Sequence, residues 1–246
     1  MERAVLRDDM VDGLEHVSKG VVRSERVGLA MRAVPRHEFV TDERAAYADC
    51  THREEGTVVF APSTVARLIE ALDPRPGDAT LIVGAGVGYT AAVIAEIVGG
   101  CHVHAVELSH QVVHVARANL ARAGYGDVLV EHGDGAKGLP GYAPYDRILV
   151  ETAVIAPPQT LQSQLDHDGR LVLPLGPGGV QELVAIESDG TTDQYGTIAV
   201  EPMFVPGEEP GSLERNRTAR EDQEFAARAA ERRRGWEREW IDWDTS

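Results

Sequence analysis

Lysine and cysteine are both scarce in this chain of 246 residues. Only Lys19 and Lys137 are lysines among 24 basic residues, and Cys50 and Cys101 are the two cysteines. Two cysteines cannot supply a disulfide framework. The formal net charge is −16, from 40 acidic and 24 basic residues. Because nonspecific binding to nucleic acid or to an anionic membrane needs a basic surface, this composition argues against both kinds of partner.

Long hydrophobic runs are missing as well. The sequence shows no signal peptide and no apolar stretch of about 18 residues, so we expect a cytoplasmic protein. A hydrophobic fraction of 43% is enough for a real core. A strongly acidic, lysine-poor surface stays hydrated in concentrated salt, which screens its charge repulsion. We therefore expect a salt-adapted, halophile-like cytoplasm, and an acidic protein of an ordinary cytoplasm is the alternative.

The middle of the chain alternates between short apolar runs and helical patterns. Such alternation is typical of a doubly wound, mostly parallel α/β sheet with helices on both faces. Late strands with no helix between them predict an antiparallel hairpin at one edge. The predicted strands are 80–83, 102–107, 128–131, 145–150, 171–175 and 182–187, and the predicted helices are 90–98, 111–123 and 158–165.

Composition divides the chain into three parts. Residues 1–75 are predicted to hold N-terminal helices, an irregular segment at 41–62 and a helix capped by Ser63 or Thr64. Residues 76–206 contain the alternating core. This division predicts a substrate-loop region followed by a ligand-binding core.

A charged, helix-prone tail at 207–246 follows a Pro/Gly-rich linker signal. Trp236, Trp240 and Trp243 have i, i+4, i+7 spacing, which places three rings on one helix face. We expect this stripe to dock on the body of the protein. A contact within a homo-oligomer or with another partner is the alternative.

Three glycines, Gly84, Gly86 and Gly88, follow the first strand of the alternating region. Glycines let the backbone approach a ligand, and the next helix presents free N–H groups and a positive dipole end. In open parallel sheets, ligands bind beyond the carboxyl ends of the strands. Dinucleotide loops have G-x-G-x-x-G spacing and P-loops end in Gly-Lys-Ser/Thr, but this loop has G-x-G-x-G. That spacing favours S-adenosyl-L-methionine, which has no pyrophosphate.

Two acidic residues stand at the ends of the next two strands. Glu107 lies about twenty residues beyond the loop, where a carboxylate accepts hydrogen bonds from ribose hydroxyls. Asp134, in a Gly-Asp-Gly turn, is placed to accept the adenine amino group. Either residue could instead be an ordinary strand-end or turn acid. The predicted cofactor-binding residues are Gly84, Ala85, Gly86, Gly88, Glu107, Leu108, Asp134 and Gly135. His110 and His114 are spaced like a metal pair but lack a third ligand, so no metal site is predicted.

Several stretches between about Met10 and Pro206 carry more specific motifs. They read VPRHEFV at 34–40, PGD at 76–78 followed by GAGVGY at 84–89, GDG at 133–135, APYDRI at 143–148, GRLVLPLG at 169–176 and QEL at 181–183. These motifs resemble those of the protein-L-isoaspartate (D-aspartate) O-methyltransferases. The resemblance implies a class I, Rossmann-like methyltransferase fold with a seven-stranded sheet. It also implies methyl transfer from S-adenosylmethionine to isoaspartyl carboxylates of damaged proteins or peptides.

The chain departs from this family pattern at three places. The family's acceptor loop reads roughly Q-T-I/V-S-x-P, and the segment beginning at Thr57 puts either Val59 or Phe60 at the serine position. The family usually carries an acidic residue two positions before the first glycine of the loop, and this chain has Ile82 at that position. A strand that usually ends V-T-A continues with Glu151, which places an acid near the expected site of methyl transfer. A buried carboxylate beside a sulfonium would have a lowered pKa.

The candidate catalytic residues are therefore Thr57, Val59, Phe60 and Glu151. Their departure from the pattern leaves alternatives open. One is a methyltransferase with another carboxylate or a small molecule as acceptor. Another is a protein that binds the cofactor or a partner without catalysis, and an NAD-dependent enzyme is a further alternative.

Overall fold

The computed structural model describes residues 3–203 apart from 17, 55 and 178. The predicted linker and the Trp-bearing tail lie outside these residues. The described helices are α1 (Arg3–Glu15), α2 (Glu25–Ala33), α3 (Pro62–Leu72), α4 (Tyr89–Val98), α5 (His110–Ala123) and α6 (Gln159–Gln162). The described strands are β1 (His52–Glu54), β2 (Thr57–Val59), β3 (Thr80–Val83), β4 (Val103–Glu107), β5 (Leu129–His132), β6 (Tyr145–Val150), β7 (Leu165–Leu175), β8 (Gln181–Glu187) and β9 (Thr192–Ile198). Within the described ranges, no helix is long and apolar enough to cross a membrane.

A seven-stranded sheet organises the core in the order β5-β4-β3-β6-β7-β8-β9. The pairs from β5 to β7 are parallel, and the pairs β7–β8 and β8–β9 are antiparallel. This arrangement confirms the doubly wound, mostly parallel sheet and its antiparallel edge. Val83 of β3 pairs with Val106 of β4 and with Val150 of β6. The carboxyl ends of these three strands therefore meet at one edge of the sheet.

Every residue of β3 is buried, because the strand is covered on both of its faces. Ile82 packs into the larger core cluster with α3 and α4, whereas Leu81 and Val83 pack into a second cluster on the opposite face. Alternation across the pleat produces this division. Nine residues of α4 are buried, and all of them except Thr90 belong to the larger cluster. Packing on both faces of the sheet therefore fixes the position of the carboxyl ends of β3, β4 and β6.

Five sequence predictions need correction. Residues 41–62 are not irregular throughout, because β1 and β2 form a two-stranded antiparallel sheet. Helix α3 begins at Pro62 after the N-cap residue Ala61, so neither Ser63 nor Thr64 caps it. The helix predicted at 158–165 covers only Gln159–Gln162, and the strand predicted at 171–175 already begins at Leu165. The seventh strand, Thr192–Ile198, has no counterpart among the predicted strands.

Candidate cofactor and acceptor site

A cavity of about 290 Å³ opens at the carboxyl edge of β3, β4 and β6. This is the edge at which open parallel sheets bind their ligands. The small hairpin β1–β2 and the segment after β9 form its other walls. The lining residues are Gly56, Thr57, Val58, Phe60, Val83, Gly84, Gly86, Val106, Glu107, Leu108, Ser109, Gln111, Val112, Gly135, Glu151, Thr152, Glu201, Pro202 and Met203.

The glycine loop forms the floor of this cavity. The φ values of Gly84, Gly86 and Gly88 are +92°, +50° and +94°, a region that favours glycine. A Cβ at Gly86 would lie 3.6 Å from the Thr57 hydroxyl oxygen. A Cβ at Gly88 would come within 3.0 Å of Leu120, so this third glycine serves packing. Gly88 and the buried Ala85 do not line the cavity, whereas Gly84 and Gly86 do.

Glu107 holds the loop from the end of β4. Its Oε2 accepts a hydrogen bond from the Gly86 backbone N–H across 3.1 Å, and its Oε1 accepts one from Ser109 N–H across 3.0 Å. Each carboxylate oxygen keeps a further lone pair for a ligand hydroxyl. Leu108 lines the cavity beside Glu107. Both residues therefore lie where the sequence predicts cofactor contacts.

Asp134 and Gly135 follow β5 on the far side of Glu107. Gly135 lines the cavity, and a Cβ there would lie 2.6 Å from the Val83 Cγ1 atom. The Asp134 carboxylate accepts the Ala136 backbone N–H across 3.0 Å and lies 3.4 Å from the Lys137 ammonium. It caps the short 3-10 helix Gly135–Lys137 and is not among the cavity-lining residues. Its adenine contact remains a prediction.

Glu151 forms the wall next to Gly84, directly after β6. It is only 8% exposed, and its Oε1 has no hydrogen-bond partner within the described residues. Burial raises the pKa of the Glu151 carboxyl to about 8, the nearby Glu107 adds to this, and a hydrogen bond with Thr90 opposes it. The neighbouring Thr152 also has a buried hydroxyl without a partner among the described residues. This wall therefore contains two buried polar atoms, from Glu151 and Thr152, that have no hydrogen-bond partner among the described residues.

The acceptor side is built by the hairpin strand β2 and the residue after it. Thr57 and Phe60 line the cavity, but Val59 is 3% exposed and packs into the core. Of the two residues predicted for the serine position of the family loop, Phe60 lines the cavity and Val59 does not, and a catalytic role for either stays a prediction. The hydroxyl at this side of the cavity belongs to Thr57.

Arg36 anchors the acceptor side from below. This fully buried side chain donates to the Ala46 carbonyl across 2.9 Å and to the Phe60 carbonyl across 2.6 Å. Its guanidinium also lies 4.5 Å from the Tyr89 ring centre, a cation–π distance. The VPRHEFV motif that contains Arg36 thus has a structural task. It connects the N-terminal region, the acceptor loop and the start of α4.

Residues 201–203 complete the cavity, and sequence reasoning did not identify them. Ala153 N–H donates to the Glu201 carbonyl across 2.8 Å, and Met203 N–H donates to the Ala153 carbonyl across 2.9 Å. An ion pair of 2.9 Å joins Glu201 to Arg53 of the hairpin. These contacts close the wall between β6 and the hairpin. No local motif marks the segment, because its position depends on the end of β9.

The residues of this cavity fit S-adenosylmethionine. Gly84 and Gly86 line the cavity, so a ligand can approach the loop backbone there without meeting a side chain. Glu107 supplies acceptors for hydroxyl groups, and Glu151 supplies a buried carboxyl group toward a positively charged ligand. The volume is close to the lower end of the range typical of small-molecule sites, roughly 300 to 1,000 Å³.

Comparisons with known proteins identify the family of this chain. The model of the family "Protein-L-isoaspartate(D-aspartate) O-methyltransferase" matches residues 7–210. A protein-L-isoaspartate O-methyltransferase of Methanosarcina mazei is 42% identical over 205 residues, which are 82% of each chain. One from Aeropyrum pernix is 43% identical over 197 residues, or 76% of this chain and 74% of the relative.

Solved structures give the same result. A protein-L-isoaspartate O-methyltransferase is 27% identical with a TM-score of 0.70, covering 80% of this chain and 65% of that one. A Plasmodium falciparum protein described as a putative member, in complex with S-adenosyl-L-homocysteine, has a TM-score of 0.71 at 19% identity. It covers 80% of this chain and 98% of that one, and supports the fold. The chain belongs to the protein-L-isoaspartate (D-aspartate) O-methyltransferase family.

Proposed function

We propose that this protein transfers a methyl group from S-adenosylmethionine to the isoaspartyl carboxylate of damaged proteins. The convergence of Gly86, Glu107, Thr57 and Glu151 on one cavity carries this proposal. Cofactor-side and acceptor-side residues come from four separate segments and meet at the carboxyl edge of the sheet. The close agreement of the chain with family members over most of its length supports the same function.

Residues of β3, β4 and β5 hold the cofactor in this proposal. Gly84 and Gly86 let the backbone approach it, and Glu107 accepts hydrogen bonds from ribose hydroxyls. Leu108 and Gly135 flank the adenine region. Asp134 accepts a hydrogen bond from the adenine amino group in this proposal, in addition to the one from the Ala136 N–H. Ala85 and Gly88 act indirectly, by shaping the loop and by packing against α5.

Bound S-adenosylmethionine supplies a methyl group on a positively charged sulfur. A carboxylate oxygen of the acceptor forms a bond to the methyl carbon while the carbon–sulfur bond breaks, and S-adenosylhomocysteine remains. The acceptor carboxylate is already nucleophilic, so no general base is needed. The protein contributes by placing the acceptor in line and by excluding water. The hairpin β1–β2 and residues 201–203 form the walls that do this.

Thr57 and Phe60 line the acceptor side of this cavity. The Thr57 hydroxyl, close to the Gly86 backbone, is placed to donate a hydrogen bond to the acceptor carboxylate. Phe60 gives an apolar surface where the family has a serine. Arg36 positions both residues by holding the Phe60 carbonyl. Val59 contributes to the core beneath them.

Phe60 and Glu151 also favour a second candidate function, methyl transfer to another carboxylate. An apolar ring in place of a hydroxyl changes the hydrogen bonds offered to a peptide, and a buried acid changes the charge of the wall. Activity on small carboxylic acids combined with none on isoaspartyl peptides would favour this candidate. The methyl-transfer assay would therefore be run on small carboxylic acids as well as on an isoaspartyl peptide.

We further propose that the chain works in the cytoplasm of a salt-rich cell. A net charge of −16 with only two lysines supports this, as do the two cysteines. The division into 1–75, 76–206 and 207–246 also stays a proposal. A direct check is the dependence of activity and folding on salt, from dilute buffer to molar KCl. Full activity in dilute buffer would contradict the salt adaptation.

A methyl-transfer assay tests the main proposal. The full chain would be incubated with radiolabelled S-adenosylmethionine and an isoaspartyl peptide, at high and low salt. The expected product is a methyl ester, which mild base hydrolyses with release of labelled methanol. Cofactor binding without transfer to any carboxylate would contradict catalysis and favour a binding protein instead.

A further inference from the structure

We infer that Glu151 senses the charge on the ligand's sulfur, losing its proton when S-adenosylmethionine binds and keeping it when S-adenosylhomocysteine binds. This inference rests on the proposed function and extends it to the discrimination between cofactor and product. The two ligands share their nucleoside and amino-acid parts. They differ in that the sulfur of S-adenosylmethionine is methylated and positively charged.

The position of Glu151 carries the inference. Its side chain is more than nine-tenths buried, yet the residue lines the cavity and its Oε1 lacks a partner in the described part of the chain. A Cβ placed on Gly84 would lie 3.7 Å from the Cβ of Glu151. The base of the Glu151 side chain therefore borders the glycine loop directly, and its carboxyl group forms a hydrogen bond with Thr90 at the start of α4. A buried polar atom without a partner costs free energy unless a ligand satisfies it.

Glu107 and Glu151 stand on opposite sides of the glycine loop. Glu107 ends β4 and Glu151 follows β6, with β3 between them. Two strand spacings separate them, about 10 Å. A ligand whose ribose is held at Glu107 extends along the loop toward Glu151, because the sulfur is attached to the ribose through one methylene group. Strand β3 has no acidic residue that could pair with the sulfur in place of Glu151, and its Ile82 is fully buried in the core.

The charged groups around Glu151 explain why its proton is available for exchange. On β4, Glu107 disfavours a second negative charge, and on α4 the Thr90 side chain forms a hydrogen bond with the carboxyl group. The glycine loop and β3 contribute no charged residue. Glu201, on the segment after β9, is already paired with Arg53 of the hairpin. The pKa of about 8 leaves Glu151 mostly protonated at pH 7.

A cation brought next to the Glu151 carboxyl group shifts it from the protonated to the ionised form. An opposite charge within about 4–6 Å favours the ionised form. Binding of S-adenosylmethionine at pH 7 then releases a proton, whereas a neutral sulfur leaves the proton in place. The affinity ratio of cofactor to product consequently rises with pH. At neutral pH and above, such a device favours release of the product and its replacement by fresh cofactor.

Titration calorimetry tests this with S-adenosylmethionine and S-adenosylhomocysteine as the two probes. Repeating each titration at pH 7 in buffers of different ionisation enthalpy counts the protons released by the full chain. We expect close to one proton more for the cofactor than for the product. We also expect the affinity ratio to rise about tenfold or more from pH 6 to pH 8. These measurements on the wild-type protein need no variant.

Glu151→Gln is the informative variant, and Glu25→Gln on the exposed start of α2 is its control for net charge. Subtracting the Glu151→Gln data removes the titration of the ligands' own amino groups. We expect the extra proton and the excess pH dependence to vanish in Glu151→Gln and to persist in Glu25→Gln. Equal proton release for both ligands in the wild-type protein would overturn the inference while leaving the proposed function intact. Binding of neither ligand would overturn both.

Discussion

The Arg36 guanidinium donates a hydrogen bond of 2.6 Å to the Phe60 carbonyl, which joins a buried motif of the N-terminal region to the acceptor loop. The same side chain holds the Ala46 carbonyl. A planar guanidinium can serve two carbonyls in fixed directions, and an ammonium cannot reproduce this geometry. Arg36 therefore acts on the reaction through the position of Phe60 and Thr57.

Replacing Arg36 by Lys tests this connection. We expect a loss of roughly 2 kcal/mol in unfolding free energy, because at least one buried carbonyl loses its donor. The KM for an isoaspartyl peptide should rise, while the affinity for S-adenosylmethionine changes little. Urea unfolding and steady-state kinetics provide the measurements, with exposed Arg44→Lys as the control. Equal losses of peptide and cofactor affinity would show that Arg36 supports the whole fold only.

Gly88→Ala tests the structural role of the third loop glycine. The left-handed φ costs about 1 to 2 kcal/mol for a residue with a Cβ, and the overlap with Leu120 adds to it. Gly124 has a similar φ of +92° but open space around it, so Gly124→Ala isolates the backbone cost. We expect Gly88→Ala to lower the unfolding free energy clearly more than Gly124→Ala. Equal losses in chemical denaturation would refute the packing role.

Glu107→Ala tests the carboxylate between the glycine loop and the cofactor. It removes the acceptor of the Gly86 N–H and the predicted acceptor of the ribose hydroxyls. We expect the affinity for S-adenosylmethionine and for S-adenosylhomocysteine to fall together by roughly tenfold to a hundredfold, since charge-assisted hydrogen bonds contribute about 1.5 to 3 kcal/mol. Calorimetry on both ligands measures this. Unchanged affinity for both would contradict the assignment.

Thr57 separates acceptor binding from cofactor binding. Thr57→Val keeps the shape of the side chain and removes its hydroxyl. We expect kcat/KM for an isoaspartyl peptide to fall about tenfold, because one hydrogen bond to the acceptor is lost. Thr57→Ser should retain most of the activity, and cofactor affinity should be unchanged in both variants. Full activity of Thr57→Val would exclude the hydroxyl from the acceptor site.

Glu151 also makes folding stability depend on pH. Its pKa is about 8 in the folded protein against an ordinary value of 4.5, so the folded state binds more protons between these values. Stability from this group is fully present below about pH 4.5 and is lost as pH rises to about 8. Relative to the wild-type protein, Glu151→Gln should gain on the order of 4 kcal/mol between pH 5 and pH 9. Urea unfolding without ligand measures this difference, and parallel pH profiles would contradict it.

The sequence allows the central strands to be predicted because they are short, fully apolar runs between turn signals. Tyr145–Val150 and Thr80–Val83 have the predicted bounds. Strand Thr192–Ile198 was missed because most of its side chains are exposed and polar, as an edge strand permits. The hairpin strands have three residues each, too few for an alternating pattern to be recognised.

The candidate site was predictable where it depends on strand ends. Gly84, Gly86, Glu107 and Gly135 directly follow or end strands, so the parallel sheet brings them together. Glu151 is buried beside Thr90 of α4, a residue far from it in the sequence. The approach of Thr57 to Gly86 depends on packing of the hairpin over the loop. Such long-range contacts leave no local signal in the sequence.

The rate of methyl transfer to an isoaspartyl peptide, compared with its normal aspartyl twin, tests the central claim most directly. Both peptides would be assayed with radiolabelled S-adenosylmethionine at high salt. The two acceptors carry the same charge and composition and differ in which carboxylate joins the backbone. We predict base-labile methyl esters on the isoaspartyl peptide and none above background on its twin. Equal labelling of the two peptides, or labelling of neither, would contradict the account.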